Sequence, residues 1–172
     1  MKFLVNMKEK EMAISFVRVD ERIIHSQIVT AWSKQFPCDG IVVIDDEILK
    51  SPILTSVFKM AAPAGVKVHI LDVKTAVGAL PEITASNQKY FIIVKTPMTF
   101  KRLVEKGGDL SNENENRINI GPIHQKSGSR VIAPNIAITS EEEEALDFLS
   151  DKFELEFRLL PGGRVYFWEE AR

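Results

Sequence analysis

Residues 40–71 read GIVVIDDEILKSPILTSVFKMAAPAGVKVHIL, and this stretch decides the fold class. Residues 40–44 form a short, continuous apolar run, the pattern of a strand buried on both faces. Ser51 followed by Pro52 reads as a helix N-cap with proline at the first helical position. Leu54, Val57, Phe58 and Ala61 then recur at helical spacing and predict one apolar helix face. Residues 62–65 stop that helix, and residues 66–71 form the next strand. A strand, a helix and a strand in so short a span predict parallel strand pairing.

Outward from this unit the alternation repeats. Toward the N-terminus, residues 14–19 are a β-rich run, and Ile24, Ile28, Ala31 and Trp32 mark a helix over 24–35. Toward the C-terminus, Val73, Ala76, Val77 and Leu80 share a helix face, and residues 90–94 form a fourth strand. Thr96-Pro97 opens a helix through Phe100, Leu103 and Val104, which Gly107-Gly108 closes. Residues 118–120 predict a short strand and 121–130 a loop. Residues 131–138 read as extended, with Pro134 arguing against a central strand. Ser140-Glu141-Glu142-Glu143 has a capping-box pattern ahead of Ala145, Leu146 and Leu149. Residues 154–160 alternate as a last strand, and the tail 161–172 brings Tyr166, Phe167 and Trp168 onto the body. The expected fold is a single α/β domain with a mostly parallel central sheet and helices on both faces. Sites in such sheets lie at the carboxyl ends of the strands.

Composition narrows the class. With 172 residues, 45% hydrophobic and 27% charged, the chain is an ordinary globular domain rather than a disordered one. A net charge of −2 argues against general binding to nucleic acid, which needs a surplus of cations. The longest apolar runs reach about six residues, far below the roughly 20 needed to span a bilayer. The single Cys38 excludes an intramolecular disulfide and suggests a reducing compartment. Residues 1–11 start with Phe3-Leu4-Val5 but turn charged at once, so they read as an extension rather than a signal peptide. The expected organisation is an extension over 1–11 and a domain over 12–172, in the cytoplasm.

The chemistry concentrates after the first strand, in Arg18-Val19-Asp20-Glu21-Arg22-Ile23-Ile24-His25-Ser26-Gln27. Arg18 and Asp20 lie two apart and share a strand face. Arg22 and His25 lie three apart and become neighbours if a helical turn begins there. Two guanidiniums could hold a phosphoryl group bidentately. The imidazole could supply a nucleophilic nitrogen, and Asp20 could orient it or tether an arginine. The spacing leaves a second reading open, in which the charges are surface ion pairs and His25 merely starts a helix.

Arg18-x-Asp20-x-Arg22-x-x-His25-x-Gln27 resembles the active-site segment of enzyme IIB of the mannose/fructose/sorbose class of the bacterial sugar phosphotransferase system, which usually reads R-x-D-x-R-x-x-H-G-Q. The likeness runs from about Met12 to Trp168. It takes in Val42-Val43-Ile44-Asp45-Asp46, Ala62-Pro63-x-Gly65-Val66, Thr96-Pro97, Leu103-Val104-Glu105-x-Gly107-Gly108 and Asn119-Ile120-Gly121. The resemblance implies a cytoplasmic protein-N(pi)-phosphohistidine–sugar phosphotransferase that associates peripherally with its membrane permease. It would take a phosphoryl group from a IIA protein or domain onto His25. It would then pass the group to sugar bound in the membrane IIC/IID complex. Arg18, Asp20 and Arg22 would shape the loop, with Ser26, Gln27 and Arg130 as candidate phosphoryl-binding groups. It implies no bound cofactor and no sugar site outside the complex, and it is compatible with a homo-oligomer. Two positions depart from the pattern. Ser26 replaces the usual Gly and Pro122 follows Gly121 where a second Gly is usual, which puts rate and partner choice in question. Two other classes stay open: a regulatory or binding module with a weakened transfer site, and a free-standing enzyme using His25 as acid/base on a small phosphorylated metabolite.

Other candidates carry less. His69 sits within a strand and reads as structural, while His124 lies in a loop with Lys126, Ser127 and Arg130. The three histidines have no metal-ligand spacing, and neither standard glycine-rich phosphate fingerprint occurs. Asp45 and Asp46 end the second strand, where carboxylates often cap loops. Glu141–Glu144 reads as a solvated helix start, and Cys38 as a small apolar residue.

Overall fold

The computed structural model describes residues 11–172. The extension expected over 1–11 lies outside the described residues except for Glu11, which pairs with Lys89 at 3.3 Å.

Parallel strands β1 (Ile14–Val19), β2 (Gly40–Ile44), β3 (Lys67–Leu71), β4 (Tyr90–Val94), β5 (Arg117–Ile120) and β8 (Glu154–Phe157) form the sheet. β9 (Tyr166–Phe167) adds an antiparallel edge. The order is β3-β2-β4-β1-β5-β8-β9. Every residue of β1 and β2 is buried; β2 reads as an unbroken apolar run, and β1 as one interrupted by Ser15 and Arg18. A hairpin of β6 (Arg130–Ala133) and β7 (Ile136–Ile138) stands apart, turning at Pro134 and Asn135. Proline could not have donated to a central ladder.

Helices cover both faces. On one face, α4 (Val73–Ala85), α5 (Pro97–Glu105) and α6 (Ser140–Ser150) pack Val73, Leu80, Phe100, Leu103, Leu146 and Leu149 onto Val17, Val19, Ile118 and Leu155. On the other face lies a π-helical turn (Ile28–Trp32) continuing into α1 (Ser33–Gln35), then α2 (Asp46–Leu49) and α3 (Pro52–Ala61). There Ile24, Ile28, Trp32 and Ile48 meet Phe16, Ile41, Val43 and Phe91. Connections that run from β1 through β2 to β3 use this second face, and those returning through β4 to β5 and β8 use the first. Right-handed crossovers require such a change of face when the direction along the sheet reverses.

Three expectations need correction. Ser51 caps α3 as expected, its hydroxyl accepting from the Leu54 amide at 3.3 Å, but the helix buries none of its residues. Leu54 and Val57 are 43% and 46% exposed, because only the flank with Phe58 and Ala61 reaches the sheet. The capping box of α6 uses Thr139 rather than Ser140: its hydroxyl accepts from the Glu142 amide, and the Glu142 carboxylate accepts from the Thr139 amide at 2.8 Å. Glu142 is therefore buried rather than solvated, and Lys126 also bonds to it.

Candidate functional site

β1 ends at Val19, and the chain turns at once, with the Ile23 amide donating to the Asp20 carbonyl at 3.0 Å. Ile23 takes φ +59°, a left-handed conformation that costs a β-branched residue roughly 1–2 kcal/mol. Burial of its side chain among Ile24, Ile28 and Ile48 holds it there. The turn folds residues 22–25 back over the end of the strand. The helical juxtaposition expected for Arg22 and His25 does not occur, because both precede the helix. They meet through Asp20 instead.

Asp20 is fully buried and is the hub. Its Oδ1 accepts from the Arg22 amide at 3.0 Å and from Arg22 Nε at 3.1 Å. Its Oδ2 accepts from Arg18 Nη2 at 2.8 Å, Arg18 Nε at 3.2 Å and Arg22 Nη2 at 3.1 Å. His25 Nε2 lies 3.0 Å from the same Oδ2. Burial alone would raise this carboxyl, but the hydrogen bonds from His25 and Arg22 and the charge of Arg18 outweigh it and hold it well below the usual aspartate range. An ionised carboxylate only accepts, so the bond places the ring hydrogen on Nε2. The Nδ1 lone pair is left unclaimed by Asp20.

Arg18 is also fully buried. Burial lowers its pKa, against the pull of Asp20. Its Nη1 donates to Asn119 Oδ1 and, at 3.2 Å, to the Arg158 carbonyl. Its guanidinium lies 4.8 Å from the Trp32 ring centroid, a cation–π contact. Arg22 is 34% exposed and donates through Nη2 to Gln27 Oε1 at 3.1 Å. Ser26 is exposed beside it, its carbonyl accepting from the Thr30 hydroxyl at 2.7 Å.

The structure thus gathers Arg18, Asp20, Arg22, His25 and Gln27. Arg130 stands at the start of β6, paired with Glu143 at 2.6 Å rather than with this group. The loop 121–130 is tied to the site by Glu21, which accepts from the His124 amide at 3.0 Å, His124 Nδ1 at 2.5 Å and Lys126 Nζ at 3.3 Å. Burial would raise Glu21, and these bonds lower it instead. Between the two loops lies a cleft of about 520 Å³, walled by Arg22, Gln27, Pro122, His124, Ile136 and Leu160. Asp45 and Asp46 serve the backbone: Asp45 caps α2, and Asp46 accepts from the Val73 amide at 3.0 Å. His69 is exposed on β3, with its ring 6.4 Å from that of Tyr90. Cys38 is half-buried, its thiol pushed up to about 11 by burial and by Asp39. Among the described residues no cluster of His, Cys, Asp or Glu could hold a metal ion.

Sequence reasoning missed Asn119, Glu156 and Trp32 as parts of this site. Glu156 lies far along the chain and Trp32 looks like core, while Asn119 stood out only as part of the family-like segment Asn119-Ile120-Gly121.

Comparison with known proteins points one way. The profile of the PTS system sorbose subfamily IIB component matches residues 14–169. The sorbose-specific EIIB component of Lacticaseibacillus casei is 33% identical over 134 residues, 78% of this chain and 79% of that one. The mannose-specific EIIAB component of Escherichia coli K12 is 26% identical over 148 residues, 86% of this chain but 44% of that longer protein. The crystal structure of manxB from Thermoanaerobacter tengcongensis superposes with a TM-score of 0.80 at 30% identity, covering 91% of this chain and 93% of that one.

Proposed function

We propose, from the premise that this chain belongs to the sorbose-subfamily IIB components of the phosphotransferase system, that it carries phosphoryl groups on Nδ1 of His25. The donor would be a phosphohistidine of a IIA protein or domain. The acceptor would be a sugar hydroxyl held by the membrane IIC/IID complex. The observation that carries the reading is the His25 Nε2–Asp20 hydrogen bond, which leaves Nδ1 as the nucleophile.

In the accepting step, the Nδ1 lone pair forms a bond to phosphorus as the donor's P–N bond breaks. The ring gains positive charge, and Asp20 stabilises it through the Nε2 hydrogen. Arg22, partly exposed and anchored through Nε and Nη2, can turn its remaining Nη1 to the phosphoryl oxygens in flight. In the second step the sugar oxygen bonds to phosphorus as the P–Nδ1 bond breaks, Nδ1 recovers its lone pair, and the hydroxyl proton passes to water or to a base of the permease. Gln27 holds Arg22 in place. The reading places the protein in the cytoplasm, docking on its permease, and among the described residues no helix is long and apolar enough to cross a membrane.

The test is phosphorylation by phosphoenolpyruvate, the general phosphotransferase proteins and a matching IIA, followed by mapping of the label. An acid-labile phosphate on His25, lost in His25→Ala, is expected. Label on His69 or His124 with His25 unmodified would overturn the assignment.

A further inference from the structure

Arg18, Asn119 and Glu156 are register partners across β1, β5 and β8. Residues in register on a pleated sheet point to the same face. Their neighbours along each strand, Val17 and Val19, Ile118 and Ile120, Leu155 and Phe157, belong to the apolar core of the opposite face. The three therefore form a polar row through the sheet, 0%, 0% and 2% exposed. Burying polar and charged groups is costly unless every bond is made, so the row calls for a reason.

The row is bonded end to end. Glu156 Oε1 accepts from Asn119 Nδ2 at 2.8 Å, and Asn119 Oδ1 accepts from Arg18 Nη1. Arg18 Nη2 donates to Asp20 Oδ2, the oxygen that also meets His25 Nε2. Glu156 decides the direction of the chain. By taking the Asn119 amide hydrogen, it turns the Asn119 oxygen toward Arg18. A reversed amide would set donors against donors. Arg158 Nε, 3.3 Å away, and Arg117 Nη1, 3.8 Å away, hold Glu156 in turn. Gly121 completes the seat: a Cβ there would lie 2.7 Å from Arg18 Cζ and 3.0 Å from the Val19 carbonyl oxygen.

We propose that Asn119, Glu156 and Gly121 are positioning residues for phosphoryl transfer: they fix the Arg18 guanidinium and, through Asp20, hold the His25 ring with its hydrogen on Nε2. The proposal rests on His25 being the acceptor. It adds that the acceptor's geometry is set two strands away.

Two readouts test it. One is the rate of phosphoryl acceptance from the IIA donor. The other is the ¹⁵N shifts of the His25 ring in the unphosphorylated protein, which report the tautomer and need no donor. Asn119→Leu is expected to slow acceptance by about tenfold or more, as loss of an outer orienting partner does, and to mix the His25 tautomers. Glu156→Gln keeps an amide oxygen for Asn119 and is expected to stay within about fivefold of the parent rate, the worth of a charge-assisted bond made neutral. Gly121→Ala removes no hydrogen-bonding group but displaces Arg18, and is expected to match Asn119→Leu. It decides the question should Asn119→Leu fail to fold. A folded Asn119→Leu or Gly121→Ala with parental rate and unchanged ring shifts overturns the proposal. So does a Glu156→Gln as slow as Asn119→Leu, because charge rather than amide orientation would then govern. If the parent takes no phosphoryl on His25, the functional reading fails, while the ring shifts still judge the positioning.

Discussion

Replacing Asp20 by Asn changes one atom and tests the central step. The carboxylate accepts six hydrogen bonds, two on Oδ1 and four on Oδ2. An amide has one oxygen to offer. If that oxygen keeps the Oδ2 position, the NH₂ faces the Arg22 amide and Nε hydrogens, donor against donor. If the amide reverses, the NH₂ faces Arg18, Arg22 and His25. His25 Nε2 can then accept only by moving its hydrogen to Nδ1, which removes the nucleophilic lone pair.

Both orientations also leave Arg18, which is 0% exposed, without its counter-charge. Breaking a buried pair in this way costs about 3–5 kcal/mol. For a domain of this size that lowers Tm by roughly 6–20 °C. The kinetic cost is separate. In a serine-protease triad, the same carboxylate-to-amide change imposes the wrong histidine tautomer and lowers turnover about 10⁴-fold. We expect acceptance to fall by about 10³–10⁴ when Asp20→Asn is assayed well below its lowered Tm, with circular dichroism confirming the fold. Single-turnover transfer from labelled IIA gives the rate, and ring ¹⁵N shifts give the tautomer. A folded variant that keeps hydrogen on Nε2 and accepts within about tenfold of the parent would refute the role given to Asp20.

Acid should act through the same group. Because the folded state depresses Asp20 below its ordinary value of 3.8, its contribution is complete above that pH and is lost as pH falls below it; thermal melts across that range should show a steeper loss for the parent than for Asp20→Asn, and equal slopes would contradict this. Arg22→Lys replaces a fork that spans both Asp20 oxygens with a point charge, so acceptance should drop about 10²-fold; a change within twofold would make Arg22 a surface residue. Thr139→Ala opens the capping box of α6 and should cost about 1 kcal/mol, or some 2–4 °C in Tm, with transfer unaffected; an unchanged Tm would count against the cap.

The strands were the legible part of the sequence. Residues 14–19, 40–44 and 90–94 match β1, β2 and β4 residue for residue; 40–44 and 90–94 are the continuous apolar runs that strands buried on both faces leave, and 14–19 is β-rich with Ser15 and Arg18 set among apolar residues. The face of α3 was misjudged for a reason internal to periodicity. Spacing shows that Leu54, Val57 and Phe58 share a side of a helix, but not whether another element covers it. α3 flanks the edge strand β3, so much of its apolar side has no neighbour. At the site, Arg18, Asp20, Arg22 and His25 stood out because they fall within eight consecutive residues. Asn119 and Glu156 lie 101 and 138 positions beyond Arg18, and only the strand order brings them there.

That strand order also explains why the site sits where it does. β1 and β5 are hydrogen-bonded neighbours, yet the chain leaves them in opposite directions: from β1 over the face bearing α1, from β5 over the face bearing α6. Parting connections open a crevice at the carboxyl ends of these two strands, as they also do between β2 and β4. The loop after β1 brings Asp20, Arg22 and His25 to one lip, and the loop after β5 brings Gly121, Pro122 and His124 to the other. Arg18 and Asn119 stand directly beneath, as register partners across the same strand pair. β4 supports the first lip through its backbone, the Val94 carbonyl accepting from the Asp20 amide at 2.9 Å. The crevice therefore falls between the loop that carries His25 and the strand that seats Arg18, and under the positioning proposal β5 is linked to His25 through the Arg18 and Asp20 side chains.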